Sequence, residues 1–186
     1  MGHNEDYQAK LNAYVEGKDP LAMQSTTADV IAKLVANVSD QDLQTRPVPG
    51  KWSVAEIVAH LAEDELVTSW RYRQMIENRG CALASFDQDR WAQLGDYGSW
   101  NAAEALQMFR LLREANLRML RQLSAEDWDS FGVHEERGRI SVRDLARHMA
   151  AHDGNHLDQI RVILGHISQC GKWCALRDSN SRPSGS

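Results

Sequence analysis

Apolar residues recur every three or four positions along most of this chain, a spacing that predicts helices. Between 20 and 38, PLAMQSTTADVIAKLVANV, the residues Val30, Ile31, Leu34, Val35 and Val38 follow that rhythm. SDQDL then reads as a short turn. RPVPG cannot continue a helix, because its two prolines remove backbone donors and restrict φ. A second helix begins at Ser53, which forms a capping box with Glu56. It runs through Ile57, Leu61, Leu66, Val67 and Trp70 to about Asn78, and Gly80 ends it.

Residues 81–98 read as a connection with one short helix around Trp91. A third long helix, rich in strong helix formers, covers roughly 100–123. Ser124 caps a short turn, and FGVHEERGRI fits an extended excursion or small hairpin of low functional content. Ser141 with Asp144 starts a fourth helix that reaches about Ile167. Four long helices and almost no convincing strand predict an all-α four-helix bundle. The connection between the second and third helices is long for adjacent antiparallel neighbours and could span the bundle. The bundle is expected over 20–168, after an N-terminal extension at 1–19. A C-terminal tail at 169–186 is expected to be disordered, since RDSNSRPSGS holds no apolar side chain.

At 186 residues, one domain with a sizeable core is expected. The net charge of −5 argues against nucleic acid as a partner, which needs a concentrated basic face. No apolar run is long enough to span a membrane, and MGHNEDYQAKLNAY has no signal-peptide core. A cytoplasmic location is therefore expected. Cys81, Cys170 and Cys174 are an odd count, read as reduced thiols rather than a disulfide framework.

Candidate chemistry is concentrated in HMAAHDGNHLDQI, which holds His148, His152 and His156. Steps of three and four link 142, 145, 149, 152, 156, 160 and 163 into one buried stripe, so His152 and His156 fill its middle. His148 lies one residue off that line. A buried imidazole is costly without a partner, and two of them one turn apart suit two positions around a divalent metal. In the second helix, the line 53, 57, 60, 64 and 67 carries His60 inward, with Asp64 one turn beyond. Asp64 could ligate, or orient an imidazole from behind. Three histidines from two facing helices leave a coordination position open, as reactive metal sites do. His148, His134, His3 and His166 are expected at the surface or in loops. His166, Cys170 and Cys174 are also spaced four apart and offer a weaker second site; Cys81 is a candidate reactive thiol.

PGKWSVAEIVAHLAEDE and SVRDLARHMAAHDGNHLDQI, separated by a long helix, resemble the second- and fourth-helix segments of the DinB-like superfamily. The resemblance covers roughly 20–167. It implies a four-helix bundle of up-down-down-up topology. It also implies a divalent ion, nickel or zinc, on His60, His152 and His156. Members of that superfamily include thiol-dependent transferases of the bacillithiol type, mycothiol-dependent isomerases and metal-dependent hydrolases.

Three functions compete. The first is a transferase using a low-molecular-weight thiol, whose substrates would be that thiol and a small electrophile. The second is a metal-dependent hydrolase with Asp64 or Glu63 as general base. The third is a non-enzymatic metal-binding or stress protein. Homodimerisation stays open, since bundles with apolar outer faces often pair.

Overall fold

The computed structural model describes residues 2–180, with side chains placed over 9–167. Helix α1 (Gly2–Val15) precedes α2 (Pro20–Val35). Asp19 caps α2 by accepting from the Leu21 amide, and Pro20 occupies the first turn, where its missing donor costs nothing. A short helix, α3 (Asp40–Gln44), stands where a turn was expected, because the Ser39 hydroxyl caps it. Helix α4 (Val54–Glu77) starts at the expected capping box. The Glu56 amide donates to Ser53 Oγ at 3.2 Å, and the Ser53 amide donates to Glu56 Oε2 at 2.7 Å. Helix α5 (Gln88–Leu94) surrounds Trp91, and α6 (Ala102–Leu120) is the third long helix. Helix α7 (Ala125–Trp128) follows Ser124, and α8 (Val142–Asn180) follows the Ser141–Asp144 cap.

The molecule is mainly helical but not purely so. Strand β1 (Cys81–Leu83) pairs in parallel with β2 (Phe131–His134), which pairs antiparallel with β3 (Gly138–Ser141). The second pair is the hairpin read from FGVHEERGRI. The first was not expected, because Cys81–Leu83 is too short to show a period of its own.

The chief packing partners of α4 are α6 and α8, and those of α2 are α8 and α6. The four long helices thus pack as a bundle in which α2 and α4 lie across from each other. All seven α8 positions from Val142 to Ile163 on the expected stripe are buried. Val142, Leu145 and Met149 join an apolar cluster with Tyr72, Met75 and Leu120. Ile160 and Ile163 join a second cluster with Ile31, Val58 and Phe109. His152 and His156 fall between the two, in a polar layer. On α4, Leu66 (49 %) and Trp70 (63 %) are exposed, off the inward line through Ser53, Ile57 and His60.

The N-terminal extension is a helix packed on α8, with Leu11 and Val15 buried against Ala150 and Ala151. The two helices touch closely at Gly154, where a Cβ would lie 2.7 Å from Tyr14 Cδ1. Helix α8 passes Gly165 and continues beyond the expected end near Ile167. A lone glycine weakens a helix without ending it. The side chains of the tail at 169–186, Cys170 and Cys174 among them, lie outside those described, as does His3.

Candidate metal centre

Helix α4 supplies His60 and α8 supplies His152 and His156, all three buried. His152 Nε2 lies 3.2 Å from His60 Nε2 and 3.1 Å from His156 Nε2. One donor atom from each ring falls within 4.8 Å of the others, which is a group able to hold a metal ion. The i,i+4 spacing on α8 aligns two rings, and the α4–α8 packing delivers the third.

The second nitrogens decide which tautomers these rings adopt. His156 Nδ1 lies 3.0 Å from Gln159 Oε1, an oxygen that can only accept, so Nδ1 carries the proton. His152 Nδ1 is buried with no hydrogen bond and faces Asp64 Oδ2 at 3.6 Å. A proton on that Nδ1 is attracted to the carboxylate, which leaves the inward Nε2 bare. An outer partner that holds Nδ1–H and frees Nε2, as Gln159 does for His156, is what a metal-ligating imidazole requires. Burial, then the charge on His156, pushes the His60 pKa down to about 3. Burial likewise lowers His156 to about 4, with the Gln159 contact opposing it, and holds His152 well below the ordinary imidazole value. All three rings are neutral at physiological pH, the state in which imidazole coordinates. The donor set and its surroundings therefore fit a divalent ion.

Asp64 sits at the edge of this layer, its side chain 12 % exposed. Burial, then the neighbouring charge of Glu65, raises its pKa to about 7, against the opposing pull of Arg71. Glu63 is engaged elsewhere: the Tyr97 hydroxyl donates to its Oε2 at 2.7 Å.

Two cavities flank the triad. The larger, ≈ 570 Å³, reaches His152 and His156 past Trp52, Ile57 and Ile163, with Lys10 and Lys51 also on its wall. Trp52 packs on His60 with ring centroids 4.9 Å apart. The smaller, ≈ 360 Å³, reaches His60 and His152 beside Asp64, His134 and His148. Two expectations fail here. His134 is buried (7 %), and His148 is half-buried with its ring 6.0 Å from that of His152. Pairing of β1 with β2 holds the hairpin against α4, so His134 faces inward and covers the flank of α8 that carries His148. His166 is exposed, as expected.

Sequence reasoning also missed a buried ionic cluster beside the triad. Arg113 on α6 binds Asp153 through two nitrogens, at 2.5 and 3.0 Å. It also pairs with Glu65 at 2.8 Å, although the alignment falls short of a hydrogen bond. Asn116 donates to Glu65 and Thr27 to Asp153, each at 2.8 Å. The signal was present in α6: Phe109, Arg113, Asn116 and Leu120 share one inward stripe, and a charged residue in such a stripe demands a partner.

The sequence pattern of the DinB superfamily matches residues 24–160, most of the chain. The chain belongs to the DinB superfamily. A relative from Oceanobacillus iheyensis, named as a candidate metal-dependent hydrolase, is 24 % identical over 143 residues. That match covers 77 % of this chain and 82 % of the relative. A second protein of that organism, named likewise, is 26 % identical over 134 residues, or 72 % of this chain and 77 % of its own. YfiT from Bacillus subtilis, described as "a probable metal-dependent hydrolase with an unusual four-helix bundle topology", superposes with a TM-score of 0.75. It is 18 % identical, with 80 % of this chain and 86 % of YfiT covered. A mycothiol-dependent maleylpyruvate isomerase shares the fold more distantly. Its TM-score is 0.59 at 11 % identity, over 78 % of this chain and 59 % of the isomerase. The structural likenesses show the DinB bundle as a fold.

Proposed function

We propose that His60, His152 and His156 hold one divalent cation, zinc or nickel. On that centre the chain acts as a transferase that joins a low-molecular-weight thiol to a small electrophile. The observation that carries this reading is the convergence of three neutral Nε2 atoms at the end of a cavity of ≈ 570 Å³. Imidazole donors suit zinc and nickel. A cation held there supplies Lewis acidity, which lowers the pKa of a thiol or a water on its free side.

The chain's own residues do the rest. Trp52, Ile57 and Ile163 give the large cavity an apolar wall. Lys10 and Lys51 bring positive charge to it for an anionic thiol. Of its two carboxylates, Asp158 is engaged by Tyr14 and Arg161, and Asp89 is an exposed residue of α5. A nucleophile made by loss of a thiol proton at neutral pH needs no strong base beside it, and this cavity offers none deep inside.

One observation favours a second reading. Asp64 adjoins the triad and lines the smaller cavity, where a carboxylate would serve as general base for hydrolysis. The names of the relatives point the same way. Glu63, held by Tyr97, is the weaker base.

The test is conjugation of a reactive electrophile by metal-loaded protein across a panel of bacterial thiols, with His152→Ala as control. Conjugation well above that control is expected; none would defeat the transferase reading. In parallel, Asp64→Asn is assayed on activated esters and amides. Hydrolysis by the wild type that disappears in Asp64→Asn with metal retained would install the hydrolase reading instead.

A further inference from the structure

The smaller cavity is not needed to build the triad, yet its lining brings two guanidinium groups and four imidazoles together. Arg71 from α4 and Arg137 from the hairpin turn line it together with His134, His148 and Ser85. Two carboxylates, Asp64 and Glu136, share the wall. Among the described residues, neither lies within ion-pairing distance of Arg71 or Arg137. Arg71 is held in place by uncharged groups: its Nη2 donates to the Ala84 carbonyl at 2.5 Å, and its guanidinium lies 5.6 Å from the Phe86 ring centroid. Its charge is thus positioned outside any ion pair, although the charge of Asp64 acts on it through space.

The two histidines add donors. His134 Nδ1 accepts from the Glu136 amide at 3.2 Å, so the proton of the neutral ring sits on Nε2, on the side of Ser85. His148 is half-buried against His152 and makes no hydrogen bond within the described residues. Guanidinium groups outside any ion pair, an Nε2–H, a hydroxyl and an imidazole without a hydrogen bond around one hollow form a recognition surface for an oxyanion.

We infer that the smaller cavity is an anion subsite that binds the carboxylate or phosphate end of a substrate whose reacting end lies at the triad. His60 and His152 form its inner wall, and His152 and Gln88 line both cavities. The site is therefore two-sided. One reactant enters through the large cavity, and the other is oriented by its anionic end from the opposite side. The reaction rests on the function proposed above; anion binding does not, because Arg71, Arg137, His134 and His148 are outside the triad.

The test titrates the full chain with inorganic phosphate and, separately, acetate at constant ionic strength, following the His134 and His148 ring signals by NMR. The same titrations are run on His156→Ala, which removes a proposed metal ligand that does not line this cavity. A saturable shift of both rings is expected with at least one anion, and it should persist in His156→Ala. Response to phosphate alone assigns a phosphorylated substrate; response to acetate assigns a carboxylate. Arg137→Gln, in an exposed turn, and Arg71→Gln should each weaken binding about tenfold, near the loss of one charge-assisted contact. Arg71→Lys should recover part of it. No saturable shift, or shifts unchanged in both glutamine variants, would overturn the inference. So would shifts that vanish in His156→Ala, since the anion would then be bound at the triad. If no metal is found but the shifts persist, the subsite stands and the proposed reaction falls.

Discussion

His152 is the residue on which the site turns. Its Nε2 faces both other rings, its Nδ1 faces Asp64, and it borders both cavities. Burial holds the pKa of His60 at about 3 and of His156 at about 4, below the ordinary 6.5. The unfolded chain therefore takes up protons first as the pH falls, and the neutral rings' contribution to stability is full above about pH 6.5. It is lost progressively toward pH 4 and below. The urea midpoint of chelator-treated protein should fall across that window; a flat midpoint would contradict the burial of neutral rings. In the folded protein, protons should compete with zinc only below about pH 5, so affinity by chelator competition should change little between pH 8 and 6. Helical phase made these three residues legible in the sequence, since burial of a helical position follows from its neighbours on the same stripe. It could not reveal His134 and His148, because their burial depends on β1 reaching β2 across about fifty residues of chain.

At the scale of elements, α4 and α8 must meet in one register for His60 to face His152. Glu65 and Asp153 stand one residue from Asp64 and His152, and Arg113 of α6 grips both. Burial lowers the Arg113 pKa, but the two carboxylates outweigh it and leave the guanidinium firmly charged. This clamp sets the turns that carry the site. Removing the guanidinium strands two carboxylates in the core, so Arg113→Ala should cost about 3–5 kcal/mol in urea unfolding. It should also weaken metal binding, although Arg113 is not a proposed ligand. A loss below about 1 kcal/mol, the scale of exposed pairs, would show that the cluster is solvated. The long helices were legible because each repeats its apolar spacing over several turns and carries side-chain caps such as Ser53–Glu56. Helix α1 was not, as its polar sequence gains its place through Leu11 and Val15 on α8.

At the scale of the molecule, the bundle is a frame of two apolar clusters with a polar layer between them, opened to solvent by two cavities. Among the described residues, no helix is long and apolar enough to cross a membrane. A cation bridging α4 and α8 should stabilise this frame as a whole, because the unfolded chain has no preformed site. Saturating zinc or nickel should add about 2.7 kcal/mol at a hundredfold excess over Kd, and Tm should rise accordingly. An unchanged Tm would argue for a bundle whose histidines serve packing alone. The helical architecture could be read from periodicity, whereas the small sheet and the two-sided site arise only when distant segments meet. The most direct test is elemental analysis of the purified full chain beside His60→Ala. Near one divalent ion per wild-type chain, lost in the variant, is the predicted result. A wild-type protein that holds no metal even after incubation with zinc and nickel, or a His60→Ala variant that holds as much, would contradict the account.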